Sequence, residues 1–506
     1  MEISSQKSKT WVLLFAAYAM FQILWVGWVA YRHVSYPLNL EAMETTVVEH
    51  VERAMHGQPI YEAPQPGHVA LAYNPLFYYL CAAFAVFLGP SLATIRIVAL
   101  IGTIGSAAMI YSIVKRETES RWWGVIAVGM FAAAYRAMDS YFDIGHRDTW
   151  MLFLVLAGCY ALNYGRSGLA NCGGMLLLVA AFWLKQQAAA FAIGGFLFLL
   201  FKLTPAELLW PAVLTFSFGP ALYLLAPSAL MGPEFHYFTW EVPRQWAALS
   251  REDIRNFAEL MARRWLMPTV LTGAGLMSAL QIGAFRSIWI FMVPVALGTA
   301  LLGMATSGSN NNVFIPFETW LIIVSIVAIE RLTRHLPENT LWPQIALGIS
   351  FLALLYNPGS ALVKGDAQAA YKDLLQIAER LDGPVYAPWL GPVPGSAKFQ
   401  PAAHWVPLED MVRGSAETET ARAKIAKVLA STAEPANGHG YILTNTRIEN
   451  DGVIAFLHDR YVLDKDFGER FLPLQGLTRR YTPGWPRYLY RFDPVAAEQL
   501  RKVAQK

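Results

Sequence analysis

The chain has 506 residues, of which 55% are hydrophobic and only 15% are charged. A typical soluble protein carries about 25% charged residues, so this composition excludes a uniformly soluble protein and a disordered one. The net charge of +3 is too small to indicate a nucleic-acid partner. Of the 77 charged residues, 36 lie in residues 360–506. The composition therefore predicts a membrane protein with a more polar C-terminal part.

The first apolar segment, residues 11–31, contains no charged residue and is long enough to cross the hydrocarbon core as a helix. Aromatic residues near its end are typical of a membrane interface, and no small-residue cleavage site follows. We therefore expect a retained anchor. Further spans are predicted near residues 93–114, 122–138, 149–164, 171–184, 187–203, 207–226, 266–284, 287–305, 313–330 and 341–357.

Residues 75–89 form an apolar segment of 15 residues, which is short for a membrane crossing. Suppose that this segment lies on the outer surface and that the N-terminus is cytoplasmic. The short positively charged loops then all face the cytoplasm, which agrees with the excess of Lys and Arg in the cytoplasmic loops of membrane proteins. These basic residues are Lys115, Arg116, Arg121, Arg166, Lys202, Arg286, Arg331 and Arg334. We therefore predict eleven spans in an integral protein of the bacterial inner membrane, with an extracytoplasmic C-terminus.

The first outer loop, residues 32–92, contains an amphipathic helix predicted over residues 41–56. Glu44 falls inside the apolar stripe of this helix. Two interpretations remain open: a carboxylate that reaches toward water from the first helical turn, or a partly desolvated general base.

The other unusual polar residues of the membrane part fall on the same predicted face. Asp143, His146, Arg147 and Asp148 stand together at a membrane boundary, which indicates either a structural clamp or a functional site. Lys185 interrupts an apolar stretch and either extends outward or supplies a positive charge for a phosphate. The amides of residues 310–312 suit a hydroxyl-rich ligand, or form a plain turn.

These residues resemble the motifs of polytopic GT-C glycosyltransferases. In that family's first outer loop, an acidic residue is followed by Ala-x-x-x-Gly and Tyr, and then by a Pro-Leu-Tyr-Tyr helix. The corresponding residues here are Glu44, Ala54, Gly57, Tyr61 and the run Tyr73–Leu80, with one residue fewer between Ala54 and Gly57 than in the family motif. The other similar segments are His146–Asp148, Trp183–Gln186, and Gly308–Asn312 with Pro316. The match runs in order over residues 11–330, and its layout fits protein O-mannosyltransferases and lipid A aminoarabinose transferases.

The resemblance implies transfer of a sugar from a polyprenyl-phosphate donor to a lipid, glycan or protein acceptor at the extracytoplasmic face. It implies Glu44 as the general base, with Glu41 as a rival, and places Asp148 at the catalytic site, where it would orient Arg147 or bind sugar hydroxyls. Substrate-binding roles are implied for Tyr61, Asn74, His146, Arg147, Lys185, Gln186, Asn311 and Asn312. Relatives that need a divalent ion carry more acidic ligands, so we predict no metal and no other cofactor.

The predicted fold class is therefore an α-helical polytopic membrane protein of GT-C type with a C-terminal soluble α/β domain. We expect the transmembrane catalytic domain at residues 1–358 and the extracytoplasmic domain at 359–506. Within the latter, residues 366–381 and 419–430 are predicted helices and 488–492 a strand. The alternatives are a secondary transporter and a non-catalytic membrane assembly or scaffold protein with a binding domain.

Overall fold

The computed structural model describes residues 2–226, 228–281, 287–306, 309–337, 340–364, 366–393, 395–399, 403–413, 418–477 and 484–504. The chain divides into two compact units. The first, called here the membrane unit, comprises Met1–Tyr31, Ile97–Ala226 and Ala248–Ala361. The second, called the loop–tail unit, comprises Arg32–Arg96, Pro227–Ala247 and Leu362–Lys506. The first outer loop thus belongs to the same compact unit as the C-terminal part.

Each predicted membrane span corresponds to a helix, because long apolar stretches satisfy their backbone hydrogen bonds internally in this form. These helices are Glu2–Val34, Leu92–Thr118, Arg121–Ala133, Asp148–Tyr164, Gly168–Leu184, Ala189–Lys202, Pro205–Phe216, Leu266–Gln281, Val293–Met304, Ile315–His335 and Trp342–Ala353. Within the described part of the chain, four stretches are able to cross a membrane by length and composition, namely Thr10–Val34, Leu92–Thr118, Pro205–Leu224 and Asn311–His335. The helical membrane fold is confirmed, whereas the number of eleven spans stays a prediction.

Helix Arg121–Ala133 is shorter than the predicted span at residues 122–138. A 3-10 turn, Ala134–Arg136, follows it, and Asp139 and Ser140 then adopt left-handed backbone conformations with φ of 55° and 65°. The chain therefore leaves the helix early and forms the polar loop that precedes Asp148.

Helix Ile315–His335 is buried along most of its length and supplies much of the core of the membrane unit. Its buried Glu318 accepts a hydrogen bond from Trp265 Nε1 at 2.7 Å. A second close contact involves Gly129, where a Cβ atom would lie 2.2 Å from the Cβ of Ala19, so only glycine permits this approach between helices.

The loop–tail unit contains one four-stranded sheet with the strand order β1-β2-β4-β3. The strands are β1 Val385–Tyr386, β2 Tyr441–Thr444, β3 Tyr461–Asp466 and β4 Tyr488–Phe492. β1 and β2 are parallel, whereas β4 is antiparallel to both β2 and β3. The predicted strand at residues 488–492 is confirmed as β4. The two predicted helices appear as Ala367–Glu379 and Thr418–Val428.

The first outer loop carries the helices Glu44–Met55 and Leu76–Leu88. The first of these begins three residues later than the predicted start at residue 41. Backbone contacts join the loop to the C-terminal part of the same unit: Leu477 N donates to Leu40 O at 2.8 Å, and Ala403 N donates to Pro66 O at 2.9 Å. The loop–tail unit therefore combines the first outer loop, which precedes the predicted domain boundary at residue 358, with the C-terminal part, which follows it.

Candidate functional site

The strongest polar constellation in the membrane unit centres on Asp148, the first residue of helix Asp148–Tyr164. Its side chain is fully buried, so its charge requires partners inside the protein. Lys185 Nζ donates to Asp148 Oδ1 at 2.6 Å, and Asn312 Nδ2 donates to Oδ2 at 3.1 Å. His146 Nδ1 also contacts Oδ2. We call His146, Arg147, Asp148, Lys185 and Asn312 the Asp148 cluster.

Each member of the cluster is brought in by a break in helical structure. Lys185 ends helix Gly168–Leu184 in an extended conformation, before a 3-10 turn that begins at Gln186. Asn312 lies in the 3-10 turn Asn311–Phe314, which leads into helix Ile315–His335. The backbone groups inside a helix are fully hydrogen-bonded, whereas those at its ends are not. Polar side chains therefore converge where helices start or stop.

The histidine of the cluster is held in its neutral form. His146 Nε2 accepts a hydrogen bond from Arg147 Nη2 at 2.8 Å, so the proton of the neutral ring lies on Nδ1, facing Asp148. Burial, followed by the positive charge of Arg147, lowers the pKa of His146 to about 4. The ring therefore links Arg147 to the carboxylate without adding a charge of its own.

We expect the stability of the protein to decrease as the pH falls below about 6.5. The pKa of His146 is about 4 in the fold and 6.5 for an ordinary histidine, so between these values the unfolded chain binds the proton preferentially. His146→Gln removes this contribution. The fall in thermal denaturation midpoint between these two pH values is therefore expected to be smaller in the variant, and an equal fall in both proteins would contradict the assignment. Buried His404 in the loop–tail unit also has a pKa near 4 and contributes equally to both.

The three amides at residues 310–312 do not all reach the cluster. Asn311 Nδ2 donates to Ala137 O at 3.2 Å, and Asn310 Nδ2 donates to Tyr141 OH at 2.8 Å. Both side chains thus hold the polar loop before Asp148, while Asn312 alone of the three bonds to the carboxylate. Gly308, part of the same predicted motif, lies outside the described residues, as does Arg286 of the predicted cytoplasmic loops.

Two further residues support the cluster: Tyr141, which the sequence interpretation missed, and Asn310, one of the three predicted amides. The ring of Tyr141 meets His146 edge-on, with 5.1 Å between ring centroids. The side-chain oxygen of buried Asn310 has no hydrogen-bond partner in the described part of the chain. For Tyr141, the available signal was its position two residues before Asp143, at the start of the predicted polar run.

In the loop–tail unit, Glu44 is buried and forms an ion pair with Arg96. Arg96 Nε donates to Glu44 Oε1 at 2.9 Å and Nη2 donates to Oε2 at 2.6 Å, while Leu40 N also donates to Oε2, at 2.7 Å. Arg96 also donates to three backbone carbonyls, those of His33, Tyr36 and Leu38. The pair therefore fastens the start of the first outer loop.

Arg96 is a functional candidate that the sequence interpretation missed. It lies within the predicted span at residues 93–114, and a charged residue inside an apolar span requires a partner. The requirement for a partner could have identified Arg96 from the sequence, but it does not say which residue that partner is. Only the fold joins it to Glu44, 52 residues away in the chain.

Three further predicted residues lie inside the loop–tail unit. Glu41 is buried and accepts a hydrogen bond from Met43 N at 2.8 Å, which places it at the turn before helix Glu44–Met55. Tyr61 OH donates to Tyr73 O, and its ring packs edge-on against Phe235 with 5.2 Å between centroids. Asn74 is buried just before helix Leu76–Leu88.

Among the described residues, no group of three or more His, Cys, Asp or Glu side chains is placed to hold a metal ion. Independence of metal ions stays a prediction.

Solved structures share this fold across almost the whole chain. ArnT from Cupriavidus metallidurans in the apo state aligns with 97% of this chain and 99% of its own, with a TM-score of 0.55 and 13% identity. The same protein bound to undecaprenyl phosphate covers 96% and 98%, with a TM-score of 0.53 and 12% identity. An Archaeoglobus fulgidus oligosaccharyltransferase covers 73% of this chain and 55% of its own, at a TM-score of 0.47 and 14% identity.

No protein-family model and no curated protein matches the chain. The TM-scores of 0.55 and 0.53 over almost the whole chain show a shared fold, although the sequence identities are only 12–13%. The chain therefore has the fold of ArnT, a lipid A aminoarabinose transferase of the GT-C type, as the sequence resemblance predicted.

Proposed function

We propose that this protein is a membrane glycosyltransferase that moves a sugar from a polyprenyl-phosphate donor to an acceptor at the extracytoplasmic face. The observation that carries the proposal is the buried Asp148 cluster, which holds two cations beside one carboxylate within a GT-C fold. The crystal structure of ArnT with undecaprenyl phosphate supports a lipid-linked donor of this class.

In the proposed reaction, an acceptor oxygen attacks the anomeric carbon of the donor sugar. The new oxygen–carbon bond forms as the bond to the phosphate oxygen breaks, a base takes the acceptor proton, and the polyprenyl phosphate leaves with increased negative charge. Fixed cations stabilise such developing charge most effectively where water is excluded. Lys185 and Arg147 are the proposed cations, and both are buried.

Asp148 is proposed to position these cations. An ammonium group has three donors, and Asp148 accepts one of those of Lys185, which leaves others for a phosphate oxygen. Through His146, the same carboxylate orients Arg147. Asn312 then holds the second carboxylate oxygen in place. Gln186, adjacent to Lys185, is proposed to contact the donor.

Two residues are candidates for the general base. Glu44 is the proposed base by resemblance, and Glu41 is its rival. Both oxygens of Glu44 already accept hydrogen bonds from Arg96. These contacts support an anchoring role for Glu44, so its catalytic role has to be tested separately from its effect on stability.

The proposed topology has eleven spans, a cytoplasmic N-terminus and an extracytoplasmic C-terminal domain in a bacterial inner membrane. It is supported by the basic loops, which then share the cytoplasmic face. A cysteine introduced at Gln58, an exposed residue of the first outer loop, is expected to react with a membrane-impermeant reagent added from outside, and labelling from the cytoplasm alone would contradict this orientation.

Lys185→Gln is expected to reduce consumption of a radiolabelled polyprenyl-phosphate sugar by about 100-fold or more, because it removes a cation from the leaving phosphate. The measurement uses the purified full-length protein, with thermal denaturation recorded in parallel. Lys372→Gln, a charge loss at an exposed residue of helix Ala367–Glu379, is the matched control. If the wild-type protein binds the donor without consuming it, the proposal of a transferase is wrong and the protein is a non-catalytic binding protein.

A further inference from the structure

A polar cavity of about 390 Å³ lies in the membrane unit, apart from the Asp148 cluster. It forms where the ends of five helices meet. Arg116 lies near the end of helix Leu92–Thr118, and Asn163 lies at the end of helix Asp148–Tyr164. The other three helix ends contribute Asn171, Lys202 and Glu207.

Three cations line this cavity against one carboxylate. The cations are Arg116, Arg166 and Lys202, and the carboxylate is Glu207. Glu207 Oε2 already accepts hydrogen bonds from the backbone and side chain of Thr204, at 2.9 and 2.8 Å, in a helix N-terminal cap. The lining therefore has an excess of positive charge.

The cations are arranged with donor capacity to spare. Lys202 Nζ donates to the carbonyls of Leu162 and Gly165, so one of its three donors remains for a ligand. The guanidinium of Arg116 stacks on the ring of Tyr164, with 4.0 Å from its central carbon to the ring centroid. Stacking fixes its plane and leaves the edge donors able to reach an anion.

A buried amide adds a second, independent indication of a ligand. Asn171 lines the cavity, is only 4% exposed, and its Oδ1 has no hydrogen-bond partner in the described part of the protein. A buried polar atom without a partner is costly, so a ligand that donates a hydrogen bond is favoured here. The complete set of groups thus suits an anion that also carries a hydroxyl.

Apolar side chains beside the cavity point to a lipid as the source of that anion. Leu169 and Phe201 are each 83% exposed and flank lining residues in sequence. Two of the candidate spans, Leu92–Thr118 and Pro205–Leu224, end at the cavity, at the level where lipid headgroups lie. Acyl chains would cover these exposed side chains while a headgroup enters the cavity.

We propose that this cavity binds the headgroup of an anionic phospholipid that carries a free hydroxyl, as in phosphatidylglycerol. The phosphodiester accepts hydrogen bonds from Arg116, Arg166 and Lys202, and a glycerol hydroxyl donates to Asn171 Oδ1. This site is independent of the proposed transfer reaction, since it uses none of the residues of the Asp148 cluster.

Native mass spectrometry of the full-length protein tests the proposal with phosphatidylglycerol and phosphatidylcholine as probes. We expect retention of phosphatidylglycerol over phosphatidylcholine. Arg166→Gln is expected to lower that retention about fivefold, the effect of one basic residue at an anionic lipid surface. Arg166 is exposed, so its replacement leaves the fold intact, and Arg166→Lys is expected to restore most of the retention.

Lys115→Gln is the matched control, because Lys115 is exposed, adjacent in sequence to Arg116 and outside the cavity lining. An equal loss of retention in Lys115→Gln would overturn the site in favour of general surface charge. Displacement of the lipid by excess inorganic phosphate would overturn the lipid assignment. Asn171→Ala is expected to abolish the preference for phosphatidylglycerol over phosphatidic acid, which lacks the glycerol hydroxyl, and an unchanged preference would overturn the role of Asn171.

Discussion

Asp148→Asn is expected to abolish sugar transfer and to lower the free energy of unfolding by about 3–5 kcal/mol, the usual cost of breaking a buried ion pair from one side. The carboxylate is fully buried and holds both Lys185 and His146. Asparagine keeps the shape but removes the charge, so the ammonium group of Lys185 is left buried without an anion.

The variant Asp148→Asn with Lys185→Met separates the two consequences. Removing one charge of a buried pair lowers stability, and removing the second charge as well restores part of it. We expect the double variant to be more stable than Asp148→Asn, as measured by denaturant titration in detergent, yet equally inactive with the labelled donor. Transfer activity in the double variant would contradict the proposed role of the cation.

Arg96→Gln is expected to destabilise the loop–tail unit by about 3–5 kcal/mol, because it leaves the buried carboxylate of Glu44 without its cation. Three backbone carbonyls lose donors at the same time. Arg96→Lys is expected to recover only part of this stability, since an ammonium group cannot reproduce the fork that reaches both oxygens of Glu44. Denaturant titration with a probe in the C-terminal part measures the effect.

Glu44→Gln then decides between anchoring and catalysis. If Glu44 only anchors the loop, the Glu44→Gln variant loses activity because it loses stability. The variant then regains activity at low temperature, where it is folded. If Glu44 is the base, the folded variant remains inactive. In a double-mutant cycle, Glu44 and Arg96 are expected to show a strong coupling in stability. Additive effects would contradict the ion pair.

Much of the membrane unit could be predicted because its signal is local. An apolar stretch of span length forms a helix in a bilayer, because a helix satisfies its backbone hydrogen bonds within the segment itself. The same reasoning identified Asp148 and Lys185, because a charge is conspicuous in an apolar segment. Helix ends were less predictable: the chain leaves helix Arg121–Ala133 early to form the polar loop before Asp148.

By itself, the sequence determined the membrane class, the helical segments and the polar residues that a functional site would use. Only the tertiary structure decided which of these residues meet. Asn312 reaches Asp148 across 164 residues of sequence, and the first outer loop packs with a tail more than 300 residues away. Such contacts arise from the packing of whole elements, which local periodicity does not encode. For the same reason, Glu44 stood out in the sequence only as an acid inside the apolar stripe of its helix, and only the fold shows that Arg96 holds it.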